Sequence, residues 1–323
     1  MDLSEHPYLL SILLGVLEGL TEFLPVSSTA HLRIVKPWAG ISLDDPYWKM
    51  YDVVIQLGAI LAVVVYFRRR TFTFIRSFPR GEEGNRTIFS HPLSLVMLAF
   101  VVTAIPAFLL SRIISENLES LTVMGISLVV GGVVMWVVDA LLGGHSVQPL
   151  PEEISESEKP GEPGAAFGGS PRVNGWIRAW RLEEVTWLQA AWIGAAQILA
   201  AVFPGVSRSM STIAAGQLGR LSRPAALEFS FFLAIPTMIV ACSYELLKTV
   251  TAERGDPAFI SGGLTGHDWG VLATGFVVSF FVAWGVIAWF MEWVRRHGFV
   301  PFAIYRIVLG CLVLSWAAGW WRG

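Results

Sequence analysis

Six stretches of the chain are apolar almost without interruption, at 53–67, 93–110, 121–142, 229–247, 269–294 and 302–321. A helix of about 20 apolar residues crosses the roughly 30 Å hydrocarbon core of a bilayer, so each run predicts a transmembrane helix. The first reaches that length only if it starts near Lys49. Two further apolar stretches are interrupted by polar groups and by proline. One reads Glu18-Gly-Leu-Thr-Glu22-Phe-Leu-Pro25-Val-Ser27-Ser28-Thr29-Ala-His31, and the other Gln197-Ile-Leu-Ala-Ala-Val-Phe-Pro204-Gly205-Val-Ser207-Arg208-Ser209-Met210-Ser211-Thr212. Ionisable groups at bilayer depth cost a few kcal/mol each on insertion scales, so such clusters usually mark a working site.

The pattern repeats. Each half opens with an apolar helix bearing Glu or Gln, breaks at a proline motif, restarts with a Ser/Thr-rich helix and continues with three clean spans. In the second half Gln197 and Ala201 stand where the first has Glu18 and Glu22, and Gly205 lengthens the turn by one residue. Residues 1–142 read as the first membrane repeat and 184–323 as the second. Between them, 143–183 holds Gly143, Gly144, Pro149, Pro151 and an acidic run from Glu152 to Glu162, a composition that cannot bury enough apolar surface to order itself. It is expected to be a flexible cytosolic linker inserted between the repeats. If each broken helix pair dips into the bilayer and returns, three full spans per half force the second half to insert upside down. The expected fold is an all-α integral membrane protein of two inverted repeats, each a re-entrant broken pair plus three transmembrane helices. Non-helical backbone at that depth is tolerated only where protein or a wet cavity surrounds it, so the two breaks should face each other.

Charge placement orients this plan. Fourteen Lys and Arg, among them Arg68, Arg70, Arg178, Arg220, Arg223 and Arg295, fall on one side of the spans. Seven fall on the other, namely Arg33, Lys36, Lys49, Arg112, Lys248, Arg254 and Arg322. By the positive-inside rule the linker faces the cytosol, both termini face out, and the first broken pair enters from outside. The start carries Asp2 and Glu5 rather than a basic region, so the first apolar segment is expected to be retained.

Composition agrees with this plan. At 54% hydrophobic and 15% charged, with a mean hydropathy of +0.58, the chain lacks the polar residues to cover a water-soluble globule. Trp48, Trp187, Trp269, Trp293, Trp320 and Trp321 lie near run ends and suit an interfacial belt, although core packing would explain some of them. Cys242 and Cys311 both sit in apolar runs, which argues against a disulfide or thiolate metal site and suggests two core residues. A net charge of −2 gives no sign of a nucleic-acid partner.

The two clusters carry recognisable chemistry. Glu18 and Glu22 are four apart and share a helix face, which suits acid/base work or a divalent cation; a pair facing interfacial water is the plainer alternative. Pro25 ends that helix, and Ser27, Ser28 or Thr29 can cap the next, leaving backbone N–H groups free for an anion such as phosphate. His31 lies within one turn of Ser27 and Ser28, near enough to take a hydroxyl proton, unless it is simply a satisfied structural histidine. Arg208, between Ser207 and Ser209, sets a permanently charged fork beside the second helix start. Its natural partner is a phosphate or carboxylate, with an ion pair to Glu18 or Glu22 as the structural alternative. Thr212 adds a hydroxyl one turn on. Arg306, inside the last span, is expected to pair with a buried acid or carbonyl. An anion-binding turn, a nucleophile, a base, paired acids and an arginine together describe phosphoryl transfer. A site inside the bilayer favours a lipid-linked phosphate.

These motifs, with Glu228-Phe-Ser-Phe-Phe-Leu-Ala-Ile-Pro236 and Tyr305-Arg306-Ile-Val-Leu-Gly310, resemble the undecaprenyl pyrophosphate phosphatases of the bacitracin-resistance type over nearly all the chain except 143–181. The resemblance implies an enzyme, a phosphoric anhydride hydrolase of the bacterial inner membrane. It would remove the terminal phosphate of undecaprenyl diphosphate and so regenerate the lipid carrier of peptidoglycan synthesis. It also implies a site open to the outer face, with Ser28 preferred over Ser27 as nucleophile, and Glu22 and His31 handling protons. Arg208 would grip the phosphates, supported by Glu18, Ser27, Thr29, Ser207, Ser209 and Thr212. A divalent cation, Mg or Ca, often accompanies the activity, with Glu18 and Glu22 as the residues to hold it. The partners implied are the polyprenyl diphosphate and membrane lipids, and the oligomeric state is left open, a homodimer included. Met210 departs from the pattern, which usually has glycine there, and suggests a second turn of different shape. The competing function is a lipid-phosphate transporter or flippase of the same plan, which needs the anion grip but not Ser28 and His31.

Overall fold

In the computed structural model, residues 5–110, 120–142, 177–253, 256, 259–260 and 263–319 are described. Among them no strand ladder forms; a single parallel bridge joins Ala179 and Leu221. Eleven α-helices carry the described fold: α1 Pro7–Thr21, α2 Ser28–Trp38, α3 Pro46–Tyr66, α4 Arg68–Ser77, α5 Pro92–Leu109, α6 Leu121–Leu142, α7 Trp187–Val202, α8 Arg208–Leu218, α9 Arg223–Val250, α10 Gly266–Arg296 and α11 Val300–Ala317. Six of these, α3, α5, α6, α9, α10 and α11, are long and apolar enough to cross a membrane. They match the six expected runs, and α3 does begin before Lys49.

Local chemistry sets the boundaries. Asp45 caps α3 by accepting from the amides of Tyr47 and Trp48, with Pro46 in the first turn where its missing N–H costs nothing. Capping boxes start α7 (Thr186 with Gln189) and α10 (Thr265 with Asp268). The stretch after the first span contains the basic helix α4. Its Phe74 is buried against Phe232 while Arg68, Arg69 and Arg76 stay exposed.

The short helices form two hairpins. At one end of the bundle, Tyr8 near the start of α1 packs on His267, and Lys36 near the end of α2 pairs with Asp52 at 2.5 Å. The α1–α2 hairpin thus enters and returns at the same end. At the opposite end Gln189 of α7 donates to the carbonyl of Gly219 just past α8, so the α7–α8 hairpin does the same there. That end also holds Arg70 with Glu183 and Glu228, and Arg223 with Asp139. Of the basic residues expected on the cytosolic side, Arg70, Arg178, Arg220 and Arg223 lie at this second end.

Helix pairing is consistent with two inverted repeats. α1 packs on α10 as α7 packs on α5, while α3 meets α9 and α6 meets α11. Both hairpin contacts are backbone-close. A Cβ on Gly19 of α1 would lie 2.9 Å from the carbonyl oxygen of Ser279, and one on Gly194 of α7 would strike the backbone of Ala99. Small residues with hydroxyl cross-links are how helices associate where lipid removes the hydrophobic drive. Ser279 donates to the carbonyl of Ile55 and Thr103 to that of Gly194, each at 2.8 Å.

Of the expected linker, 143–176 lies outside the described residues. Residues 177–183 are packed, with the Arg178 amide donating to the carbonyl of Arg220 and Leu182 fully buried. Cys242 is buried as expected. Cys311 is exposed instead, because it shares the outward face of α11 with Ile304, Val308 and Leu312, where lipid replaces protein as the apolar neighbour. Trp187 and Trp269 lie exposed at helix starts, whereas Trp293 stacks on His297; Trp320 and Trp321 fall outside the described residues.

Candidate active site

Both hairpins break for the same local reason. Pro25 and Pro204 stop the helices before them, and a serine then restarts the chain: Ser27 at φ 72° and Ser207 at φ 69°. Each accepts the amide three residues on at 3.4 Å, from Ala30 and Met210 respectively. A non-glycine residue in left-handed space costs on the order of 1–3 kcal/mol and persists only where its surroundings insist on it. Arg306, fully buried in α11, is the surrounding group. It donates to the carbonyls of Pro25 (3.1 Å), Gly205 (2.9 Å), Val206 (2.9 Å) and Ser127 (3.3 Å), tying both turns to one side chain. Ser209 adds a direct link by donating to the carbonyl of Leu24 at 3.0 Å. The two breaks therefore face each other, and the partners expected for Arg306 are carbonyls.

Four of the expected residues meet at this junction. Ser28, first in α2, donates to Oε2 of Glu22 at 2.6 Å. The other oxygen of that carboxylate accepts from Nη2 of Arg208 at 3.2 Å. Glu22 and Ser28 are both buried, yet Nε and Nη1 of Arg208 have no partner. A buried guanidinium with unused N–H groups beside a buried hydroxyl is incomplete without an anion. Glu18, one turn before Glu22, is fully buried, and neither of its oxygens has a partner.

His31 sits differently from expectation. Its Nδ1 lies 2.7 Å from the carbonyl of Ser27 and its Nε2 2.6 Å from the hydroxyl of Tyr305. A carbonyl only accepts, so Nδ1 carries the proton and Nε2 accepts from Tyr305. No hydrogen bond joins Ser28 to His31 among the described residues; the carboxylate of Glu22 takes the place expected for the imidazole.

The remaining residues support the turns. Thr212 donates within its own helix and lies 2.7 Å from the hydroxyl of Ser230, and Ser211 donates to the carbonyl of Arg208. Ser207 and Ser209 lie 3.0 Å apart, and Thr29 is partly exposed at the start of α2. Gln197 donates to Thr237, leaving its own oxygen unpartnered. Met210 does not have a positive φ and buries its side chain in the core, so the second turn takes its left-handed residues from Gly205 and Ser207 instead. Sequence reasoning passed over Tyr305 as a site residue, although the motif Tyr305-Arg306 was visible, because its partner lies 274 positions away. Among the described residues no three His, Cys, Asp or Glu gather as a metal cage.

The family described as bacitracin resistance protein BacA matches residues 11–312. A protein of Koribacter versatilis (strain Ellin345) named undecaprenyl-diphosphatase is 51% identical over 97% of this chain and 99% of its own length. Proteins of the same name from Rhizobium etli (strain CIAT 652) and Sorangium cellulosum (strain So ce56) are 38% and 40% identical, over 96% and 94% of this chain and 97% and 84% of their own. With the family matched over nearly the whole chain and such relatives aligned end to end, this multi-pass membrane protein belongs to the bacitracin resistance protein BacA family.

Proposed function

We propose that this protein is an undecaprenyl-diphosphate phosphatase of the bacterial inner membrane, its site open to the outer face, recycling the lipid carrier of peptidoglycan synthesis and conferring bacitracin resistance. The observation that carries the reading is the Ser28, Glu22 and Arg208 array, in which a hydroxyl already donates to a carboxylate beside an unsatisfied guanidinium. The relatives' names support it, and the asymmetry of basic residues supports the orientation. In the same reading 1–142 and 184–323 are the two repeats, joined by 143–183 on the cytosolic side.

Ser28 Oγ attacks the terminal phosphorus and passes its proton to Glu22. The new O–P bond forms as the bond from that phosphorus to the bridging oxygen breaks. The lipid monophosphate leaves with the electron pair. Arg208 holds the charge on the non-bridging oxygens, with the N–H groups at the starts of α2 and α8 beside it. Water then splits the phosphoserine, returning a proton to Ser28 and releasing inorganic phosphate. Nε2 of His31 is the remaining basic site, positioned by Ser27 and Tyr305 to pass protons to or from the phosphate. Thr29, Ser207, Ser209 and Thr212 shape the pocket. The unpartnered oxygens of Glu18, with Glu22, would hold a divalent cation such as Mg or Ca, which would neutralise charge on the phosphates.

A transporter would use Arg208 but has no need of a serine that donates to a carboxylate. The test is phosphate release from C55 diphosphate by purified protein in detergent, with and without divalent cation. The wild type is expected to release phosphate and Arg208→Ala to lose about 10²–10³ in kcat. A folded wild type that binds the lipid but releases no phosphate would make it a carrier.

A further inference from the structure

Outside the junction, an apolar groove of about 600 Å³ lies between α2 and α11, lined by Ile34, Trp38, Leu309, Leu312, Val313 and Trp316. Its two helices also carry site residues. On α2, Ile34 and Trp38 follow His31 by one and two turns; on α11, Leu309 and Leu312 follow Tyr305 by one and two turns. The His31 to Tyr305 contact at 2.6 Å therefore lies one turn before the groove on both helices, whose faces carry on as its walls.

We propose that the first isoprenoid units of the lipid diphosphate lie in this groove, which makes Ile34, Trp38, Leu309 and Leu312 determinants of chain selectivity. The inference rests on the diphosphatase reading and adds where the tail goes. A head group held at Arg208 and Ser28 must send its tail out of the junction. Around the junction Phe23, edge-on to Phe231, Met124 and, behind both turns, Arg306 are buried. The groove leads away along helices that also carry site residues. Apart from the two Trp N–H groups its walls bear no side-chain donor or acceptor, so it suits a hydrocarbon and not a head group. A bulk lipid gains only apolar contact there. A tail tethered to a gripped diphosphate enters as an intramolecular step, at far higher effective concentration.

The test compares kcat/KM for C55 diphosphate and for a C5 prenyl diphosphate with the same head group, using wild type, Ile34→Trp, Leu309→Trp and Trp38→Ala. Trp38 is 81% exposed, so its removal spares the fold. Filling the groove should lower the C55 to C5 ratio by about tenfold or more, the discrimination a misfitted hydrocarbon pocket supplies. Trp38→Ala should lower it several-fold with C5 turnover unchanged. Equal losses on both substrates, or no loss on either, would overturn the groove as a tail site. A change in particle mass in detergent on substitution would also overturn it, assigning the groove to a second copy of the chain. A wild type inactive on both substrates would instead sink the diphosphatase reading, and the groove assignment with it.

Discussion

Ser28 donates to Glu22 at 2.6 Å across the very break that ends one helix and starts the next. The spacing of six residues would be useless on a continuous helix, where partners sit three or four apart. The turn made by Pro25 and the left-handed Ser27 folds the carboxylate back over the first residue of α2. Proton acceptor and hydroxyl thus come from one short segment, and Arg208 arrives from the other hairpin to complete them.

Because the two groups act as a unit, their losses should not add. Ser28→Ala and Glu22→Gln are each expected to lower kcat by about 10²–10⁴. The double variant should be no slower than the worse single one. Single-turnover phosphate release measures this, and multiplicative losses would show that Glu22 serves something other than the Ser28 proton.

Arg306 should behave as a structural residue. Replacing it with Met leaves four buried carbonyls without their charged donor, a loss of about 3 kcal/mol or more. Thermal unfolding in detergent should report a lower midpoint. Gly131→Val should do the same, since a side chain there would meet the guanidinium of Arg306. An Arg306→Met protein of unchanged midpoint but abolished turnover would move Arg306 into the chemistry.

Tyr305 positions His31 and touches no other site group among the hydrogen bonds described. Tyr305→Phe keeps the ring but removes the donor to Nε2, so kcat should fall about tenfold and its pH profile should change while KM holds. The loss should be smaller than for His31→Ala, about 10²–10⁴. An unaltered pH profile would reduce Tyr305 to packing.

Acid should loosen the opposite end of the bundle through His91, which lies outside the spans. Its Nδ1 caps α5 by accepting the Leu93 amide at 3.2 Å, and it is fully buried beside Phe74 and Phe78. Burial, aided by Arg86, holds its pKa below the ordinary value. The unfolded chain therefore takes up the proton first. Stability is full above the unfolded pKa of about 6.5 and falls as pH drops from there towards the folded value. His91→Asn keeps a capping side chain without a titrating group and should flatten the dependence of the unfolding midpoint below about pH 6.5.

Much of this was legible from local pattern. Hydropathy summed over a span is a property of adjacent residues, so all six spans could be read from the chain. Pro25 and Pro204 are each followed within three residues by a serine able to cap a new helix, so the two turns could be read as well, whereas Pro37, Pro106 and Pro236 stay inside helices. The clusters around Glu22, Ser28 and Arg208 stood out because charge inside apolar runs is costly. The register of contacts was not legible. Arg208 reaches Glu22 across 186 positions and Tyr305 reaches His31 across 274, pairings set by how two hairpins from opposite ends meet and by Arg306 between them. Sequence proximity nominated His31 for the Ser28 proton, whereas the left-handed turn at Ser27 delivered Glu22 and left His31 to Tyr305. Residue types and spacing are local and survive in the one-dimensional string; the direction a side chain takes beyond a break depends on the backbone torsion there and on packing that only the assembled helices supply.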